Sequence, residues 1–357
     1  MLARAARLHR APGRIRIDER LEVAAGQRID EGTGSGSARA HRITAVPGGW
    51  DITGPDRARL LLAAGPGQVP EPPPGTRPFD IALLDLLADP AQLGSLRRAG
   101  LVHQRTAVTA LYTDHRIRSD REMARRCELW AATAASDGQL VTGPVPARVP
   151  QPRPHRTLII GGARSGKSAE AELRLSGEPA VTYLAAGPWQ SWTGPDGRPD
   201  QEWAARVAFH RARRPAWWHT AETLDVAGVL RQETGAVLID GIGTWLAGVM
   251  DEAGLWQPGT SGPTGRSGAR DELSDAWPTG PGPAATVQIR VDELIAAWRQ
   301  TTALVVAVTD QVGSGLVPPY PAGRVFRDQL GWLNQRIAAE SELNLQVVAG
   351  QVTTLPV

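Results

Sequence analysis

The sequence contains almost no lysine. Lysine and arginine together number 39, and Lys167 is the single lysine among them. Together with 39 glycines and 29 prolines, this usage indicates a coding bias that replaces lysine by arginine wherever only a surface charge is needed. Because a slim ammonium and a planar guanidinium bind oxygen ligands differently, the position that kept its lysine is a candidate functional site.

Other scarcities exclude whole classes of protein. The one cysteine, Cys127, allows neither an internal disulfide nor a multi-cysteine metal site, and it fits a reducing compartment. No run approaches the roughly 20 apolar residues that cross a bilayer, and the N-terminus lacks the continuous apolar core of a secretory signal. We therefore expect a cytoplasmic protein without a membrane span. The net charge of +2 is too small to indicate binding to nucleic acid.

The length of 357 residues suggests two domains. Residues 142–155 contain five prolines, which favour an extended backbone, so we place a linker there, between residues 1–141 and residues 156–357. A second biased segment, at about residues 255–285, is rich in Gly, Pro, Ser and Thr. It is expected to be a disordered insertion in the C-terminal domain.

In the C-terminal domain, short apolar runs alternate with segments of helical spacing, which is typical of a mostly parallel sheet flanked by helices. The predicted strands are residues 157–160, 181–185, 236–239, 304–308 and 345–348. The predicted helices are residues 167–175, 202–213, 244–250, 287–300 and 326–337. The N-terminal domain fits a smaller, incomplete α/β layer, with strands at residues 80–87 and 107–112 and helices at 89–98 and 120–135.

The stretch GGARSGKS matches the phosphate-binding pattern G-x-x-x-x-G-K-[ST] and lies between a predicted strand and a predicted helix, as the pattern requires. In such a loop, backbone amides and the helix N-terminus hold the β-phosphate, and the lysine reaches the β- and γ-phosphates. The alternative is an ordinary glycine turn, which the retained lysine disfavours. The predicted nucleotide-binding residues are Gly161, Gly162, Ala163, Arg164, Ser165, Gly166, Lys167 and Ser168.

Asp240 follows the apolar run of a predicted strand. A carboxylate at the carboxyl end of a strand, beside a phosphate-binding loop, suits the positioning of Mg²⁺. Asp240 and the hydroxyl of Ser168 are therefore the predicted metal ligands. A turn or helix-capping role for Asp240 is the other interpretation.

A histidine lies among arginines in the segment of residues 202–222. On a helix, Arg213 and Arg214 follow His210 by three and four residues, so one face gathers an imidazole and guanidinium groups. Arginines bind phosphate oxygens and a neutral imidazole attacks phosphorus, which predicts a catalytic histidine. A His210 that simply packs into the core is the competing interpretation, and His219 is a competitor for the catalytic role.

Two further features are candidates with less specific signals. Glu222 could pair with the N1–H and amine of guanine, or it is a surface carboxylate. The glycine-rich loop TDQVGSGLVPPY, residues 309–320, lies between a strand and an amphipathic helix, at the edge where open α/β folds bind ligands. Arg324, Arg327 and Asp328 open that helix, and the alternative interpretation is that they are only exposed helix charges.

Taken together, these stretches resemble the bifunctional adenosylcobinamide kinase and adenosylcobinamide-phosphate guanylyltransferase family of cobalamin biosynthesis. The resemblance extends from about residue 156 to the C-terminus and is carried by GGARSGKS, RVAFHRARRPAWWHTAE, VLID, VGSGLVP, RVFRDQLGWLNQ and VVAG, in that order. It implies a P-loop NTPase-like α/β fold, a homo-oligomer that is commonly a trimer, and Mg²⁺ with GTP and ATP as substrates.

The resemblance also implies two reactions. The first phosphorylates the aminopropanol hydroxyl of adenosylcobinamide with a nucleoside triphosphate. In the second, a histidine takes GMP from GTP, releases pyrophosphate and passes GMP to the phosphorylated corrinoid. By motif, His210 matches the guanylylated histidine. Nucleotide-contacting positions are matched by Leu184, Ala185, Ala186, Arg211, Ala212, Arg213, Arg214, Glu222 and Asp240.

Some positions depart from the pattern of the family. Members often show Asn-Glu where this chain has Asp310 and Gln311, and Gly241 and Gly243 replace a Cys and a Thr or Ser. Phe209 stands where some relatives carry a further His. Two alternatives are therefore open: a GTP-binding protein without turnover, and a guanylyltransferase that has lost the kinase step.

The N-terminal region, from about residue 41 to residue 143, resembles the C-terminal part of a metallo-β-lactamase-like domain that some relatives carry before the kinase. The metal-binding pattern H-x-H-x-D-H does not occur around His9, His41, His103 or His115, so we expect no metal site there.

Overall fold

The computed structural model describes residues 41–54, 56–63, 72–73, 75–111, 117–136, 138–146, 153–187, 201–255 and 282–356, and the backbone of three short strands before residue 25. The chain divides into two compact units. One comprises residues 1–151 and 176–180, and the other comprises residues 152–175 and 181–357.

The described residues of the N-terminal unit form two sheets. Its strands are β1 (Ala5–His9), β2 (Arg14–Ile17), β3 (Leu21–Ala24), β4 (Arg42–Val46), β5 (Gly49–Thr53), β6 (Arg59–Ala63), β7 (Ile81–Leu84), β8 (Ala107–Ala110), β9 (Thr133–Ala134) and β10 (Leu140–Thr142). Its helices are α1 (Ala91–Arg98) and α2 (Asp120–Trp130). The strand orders are β10-β1-β2-β3 and β4-β5-β6-β7-β8-β9.

The sequence predicted β7, β8, α1 and α2 in this unit, with differences at their ends. The apolar strands β7 and β8 are buried throughout and pair in parallel, as continuous apolar runs indicate. Helix α2 stops at Trp130 instead of residue 135, because Ala131 adopts a left-handed backbone conformation with φ +51°. Residues Thr133–Ala134 then join the sheet beside β8.

The described residues of the C-terminal unit form one seven-stranded sheet. Its strands are β11 (Arg156–Gly161), β12 (Val181–Ala185), β13 (His219–Glu222), β14 (Ala236–Asp240), β15 (Leu304–Asp310), β16 (Leu343–Val348) and β17 (Gln351–Leu355). Its helices are α3 (Lys167–Leu175), α4 (Gln201–Arg213), α5 (Val226–Gln232), α6 (Ile242–Glu252), α7 (Pro283–Gln300) and α8 (Pro321–Ala339). The order is β13-β12-β14-β15-β11-β16-β17, and only the β16–β17 pair among these is antiparallel.

Helices cover both faces of this sheet. Successive residues of each strand point to opposite faces, so each face has its own core. Leu158 and Val305 face one core, which also takes buried residues of α5, α6, α7 and α8. Ile159 and Val306 face a second core, which takes residues of α3. The predicted fold class, a mostly parallel P-loop-like sheet flanked by helices after a smaller α/β unit, is confirmed.

Three elements of this unit were not predicted: β13, α5 and β17. Strand β13 is largely exposed and reads HTAE, so it lacks the apolar run that marks a buried strand. Most of the expected insertion lies outside the described residues. The predicted end of the insertion, at about residue 285, lies too far along the chain, because α7 already begins at Pro283. Proline is tolerated in the first turn of a helix. Among the described helices, none is long and apolar enough to cross a membrane.

The strand order brings three functional candidates to one edge of the sheet. In the register of β11 and β15, Gly161 lies opposite Asp310, and in that of β14 and β15, Asp240 lies opposite Val308. Parallel strands end at the same edge, so the phosphate-binding loop after β11 opens beside the ends of β14 and β15.

Candidate active site

Two glycines shape the loop between β11 and α3. A Cβ atom at Gly161 would lie 2.4 Å from Ser165 Oγ and 2.7 Å from the carbonyl oxygen of Val347, so no side chain fits there. Gly166 has φ +100°, a conformation that favours glycine. The backbone carbonyl of Ser165 accepts a hydrogen bond of 2.8 Å from the amide of Gly350, which anchors the loop against the turn after β16.

Lys167 is held inside the loop and is only 8% exposed. Its Nζ donates to the carbonyl oxygen of Gly162 at 3.0 Å and lies 3.0 Å from Oδ1 of Asp310. Helix α3 begins at Lys167, so the ammonium adds its charge to the positive end of the helix dipole. This combination is suited to binding an anionic phosphate.

Ser168 and Asp240, the two predicted metal ligands, are in direct contact. Ser168 Oγ lies 3.1 Å from Asp240 Oδ1, and the hydroxyl of Tyr183 donates to the other carboxylate oxygen. Burial, and next the Asp240 carboxylate, raise the pKa of Tyr183, so its phenol stays protonated and remains a donor. A hydroxyl and a carboxylate are oxygen ligands of the type that Mg²⁺ prefers, so these residues fit that ion.

The C-terminal end of α4 is joined to this site. Arg213 donates to Glu172 of α3 at 2.6 Å, and the guanidinium carbon of Arg214 lies 3.2 Å from the centre of the Tyr183 ring. His210 belongs to α4 and precedes these arginines by about one turn. Its side chain lies outside the described part of the structure, so the competition between its catalytic and packed interpretations stays open.

A cavity of about 340 Å³ lies between the end of α4 and β13, and its lining includes Arg211, Arg214, Trp218, Thr220 and Glu222. Arg211 forms an ion pair with Glu222. The buried indole N–H of Trp218 has no hydrogen-bond partner among the described residues. The cavity therefore offers guanidinium groups, a carboxylate and an aromatic wall to a ligand.

The other predicted residues lie on β13, at the end of β12 and on α4. His219 alternates along β13 with Thr220 and Glu222, so it lies on the face of the strand opposite the cavity. Leu184 and Ala186 have buried side chains and Ala185 lies opposite Glu222 in the β12–β13 register, so this segment offers its backbone to the edge of the sheet. Ala212 is exposed on α4.

Sequence reasoning missed two contacts of this site. The first is the position of Tyr183 beside Asp240, which has no local signal because 57 residues separate the two. The second is the pairing of Asp310 with Lys167. A signal for it existed, because Asp310 ends an apolar strand just as Asp240 does.

The glycine-rich loop after β15 presents apolar side chains to solvent. Leu316 is 98% exposed and Tyr320 is 76% exposed. The guanidinium of Arg324 donates to the carbonyl oxygens of Pro318 at 3.0 Å and Pro319 at 2.8 Å. Arg324 thus holds the loop in place through these hydrogen bonds and is not a free helix charge. Arg327 pairs with its neighbour Asp328 at 2.8 Å.

Comparisons with known proteins identify relatives of the C-terminal part. The model of the family CobU, "Cobinamide kinase / cobinamide phosphate guanyltransferase", matches residues 157–355. The chain is 34% identical over 199 residues to the bifunctional adenosylcobalamin biosynthesis protein CobU of Salmonella typhimurium, across 54% of this chain and 95% of that protein. It is also 34% identical over 203 residues to the bifunctional protein CobP of Pseudomonas aeruginosa, across 55% of this chain and 94% of that protein. The corresponding CobU of Escherichia coli is 32% identical over 199 residues, across 54% of this chain and 95% of that protein.

Proposed function

The chain belongs to the cobinamide kinase / cobinamide phosphate guanyltransferase family of cobalamin biosynthesis, and we propose that its P-loop site serves both reactions. In the first, a nucleoside triphosphate phosphorylates a hydroxyl of adenosylcobinamide. In the second, GMP from GTP is transferred to the phosphorylated corrinoid, which gives adenosylcobinamide-GDP. The observation that carries this proposal is the convergence of Lys167, Ser168 and Asp240 at one edge of the sheet.

The residues at this edge of the sheet have different roles towards the triphosphate. The loop amides and Lys167 bind the β- and γ-phosphates. Ser168 and Asp240 would hold Mg²⁺, which when bound would neutralise charge on the phosphate oxygens. Tyr183 keeps the Asp240 carboxylate in one orientation by donating to it.

The guanylyl step is assigned to the end of α4. A ring nitrogen of His210 attacks the α-phosphorus of GTP, the bond from that phosphorus to the α,β-bridging oxygen breaks, and pyrophosphate leaves. Arg211, Arg213 and Arg214 neutralise the phosphates, and Glu222 accepts hydrogen bonds from guanine. The ion pair of Arg213 with Glu172 supports this assignment, because it ties α4 to the helix that starts at Lys167.

Labelling with α-labelled GTP tests the assignment. We expect the wild-type protein to keep an acid-labile label and His210→Ala to keep none. His219→Ala, whose side chain lies on the other face of β13, is the control and should label like the wild type. Equal labelling of His210→Ala and the wild type would refute the role of His210.

We assign the corrinoid substrate to the exposed loop after β15. The corrin macrocycle is a large, partly apolar ring, and Leu316, Val317 and Tyr320 expose apolar side chains within ten residues of Asp310. Prolines and the hydrogen bonds from Arg324 preorganise this surface, which lowers the entropic cost of binding. Because β15 ends beside the start of the phosphate loop, with Asp310 opposite Gly161, a bound corrinoid would be able to extend its hydroxyl arm towards the γ-phosphate.

Further assignments concern the assembly, the location and the N-terminal unit. We propose a homo-oligomer, a trimer by analogy, that acts in the cytoplasm on small-molecule substrates. We also propose that the N-terminal unit is related to metallo-β-lactamase-like domains and has a structural role. Within the described residues, no group of three or more His, Cys, Asp or Glu is placed to hold a metal ion.

A further inference from the structure

Asp310 occupies a position of the site that the proposed roles above leave unused. It is the last residue of β15 and lies opposite Gly161, the first residue of the phosphate loop. Its Oδ1 is 3.0 Å from Nζ of Lys167, yet 46% of its side chain is exposed. The carboxylate is therefore held by the phosphate-binding ammonium on one side and is open to an incoming substrate on the other.

The absence of a side chain at Gly243 leaves space for the Asp310 carboxylate. A Cβ atom at Gly243 would lie 3.1 Å from Oδ2 of Asp310 and 3.2 Å from Cδ2 of Leu330. Leu330 is completely buried, so it has little freedom to move aside. A side chain at position 243 would thus press on the Asp310 carboxylate.

The neighbouring carboxylate at the sheet edge is already engaged. Both oxygens of Asp240 accept hydrogen bonds, one from Ser168 and one from Tyr183. Among the described residues, the Asp310 carboxylate has one ion-pair contact, between Oδ1 and Lys167, and its exposed side faces solvent. Of these two carboxylates, Asp310 is the one placed to accept a proton.

The distances around Lys167 leave room for a substrate hydroxyl between the Asp310 carboxylate and the γ-phosphate of a bound triphosphate. Two oxygen partners of one ammonium, each about 3 Å from Nζ in tetrahedral directions, lie about 5 Å apart. A γ-phosphate bound to Lys167 would have its oxygen at this distance from the Asp310 carboxylate. The space accommodates one hydroxyl oxygen that donates to the carboxylate and faces the γ-phosphorus.

We propose that Asp310 is the catalytic base of the kinase step, an inference that rests on the proposed function. The substrate hydroxyl oxygen forms a bond to the γ-phosphorus, and the bond from that phosphorus to the β,γ-bridging oxygen breaks. The nucleoside diphosphate leaves, and the hydroxyl proton passes to an oxygen of Asp310 and then to solvent. On this basis the departure at position 310 supports the kinase step and does not abolish it.

Asp310→Asn tests the proposal, because it removes the basic oxygen and keeps the shape of the side chain. We expect kcat for phosphorylation of adenosylcobinamide to fall about 100-fold or more. GTP labelling of the protein, and GMP transfer to adenosylcobinamide-phosphate supplied directly, should change less than about threefold, since neither uses a hydroxyl nucleophile. Asp292→Asn on α7, which removes a carboxylate paired with Arg336, is the matched control and should affect neither reaction.

Gly243→Ala provides a second test through the space beside Asp310. Alone, it should lower kcat of the kinase step by displacing the carboxylate. In the Asp310→Asn background it should add little further loss, because both substitutions act on the same group. Additive losses would show that position 243 acts independently and would contradict this part of the proposal.

The contrary outcomes are distinct. If Asp310→Asn weakens both reactions equally through KM for the triphosphate, Asp310 only neutralises Lys167 and the inference is overturned. An Asp310→Asn variant that keeps the wild-type kinase rate overturns the inference and leaves the proposed function intact. A wild-type protein that labels with GTP but never phosphorylates adenosylcobinamide overturns the inference together with the kinase half of the proposed function.

Discussion

Ser168 Oγ and Asp240 Oδ1 lie 3.1 Å apart although 72 residues separate them in the chain. Ser168 belongs to the first turn of α3, and Asp240 ends β14, two strands away from β11 in the sheet. Tyr183 of β12 donates to the second carboxylate oxygen. Three separate segments thus build one pair of oxygen ligands beside the phosphate loop.

Asp240→Asn should lower kcat of both reactions at least about 100-fold, because it removes the charged ligand of the proposed Mg²⁺ site. Tyr183→Phe should instead raise the Mg²⁺ concentration needed for half-maximal rate about tenfold, since it removes only the donor that orients Asp240. Rates measured across a Mg²⁺ titration distinguish the two effects. Variants whose rates respond to Mg²⁺ as the wild type does would exclude these residues from the metal site.

Lys167→Arg should weaken GTP binding about 100-fold despite conserving the charge. The ammonium is almost completely buried between Gly162 and Asp310, and a wider, forked guanidinium does not fit that space. Calorimetric titration with GTP measures the change. Arg336→Lys, the reverse exchange at a surface pair on α8, is the control and should bind GTP normally. Unchanged binding by Lys167→Arg would mean that the single lysine has no steric role.

Combining Leu316→Ala with Tyr320→Ala should raise KM for adenosylcobinamide about tenfold or more, because both exposed side chains would lose apolar contact with the corrinoid. GTP labelling should not change. Ile289→Ala removes a side chain that is 60% exposed on α7 and serves as the control. An unchanged KM with an altered oligomeric state would instead identify the loop as a contact between subunits.

Glu122→Gln should destabilise the N-terminal unit by about 1 kcal/mol at pH 7, a value reduced for partial exposure. A hydrogen bond from Arg125 lowers the pKa of Glu122 the most, burial opposes it, and a hydrogen bond from Arg126 lowers the pKa further. Together these effects move the pKa from 4.5 to about 2. A lowered pKa in the folded state stabilises above pH 4.5, and this stabilisation is lost as the pH falls towards 2. Denaturant unfolding of both proteins across this range measures the difference, with Glu128→Gln as the control. A difference that persists at pH 2 would point to packing and not to charge.

Much of the C-terminal unit could be predicted because its signals are local. Helix α3 and strand β12 have the predicted bounds, since continuous apolar runs mark strands buried on both faces and the phosphate-loop motif is contiguous. Strands β13 and β17 were missed because their exposed residues carry no such run. Helix α2 was predicted too long because nothing in its hydrophobic spacing shows the left-handed turn at Ala131.

The amino-acid sequence by itself determined the phosphate loop and its lysine, because a contiguous motif needs only its own backbone to form an anion site. Only the tertiary structure decided that Asp310 meets that loop and that Tyr183 meets Asp240. Strand order and register place Asp310 opposite Gly161 and Tyr183 beside Asp240. Both placements depend on how distant strands pair within the sheet. Hydrogen bonding between strands and the packing of both sheet faces select that pairing for the whole unit at once, so no single segment of the sequence contains it.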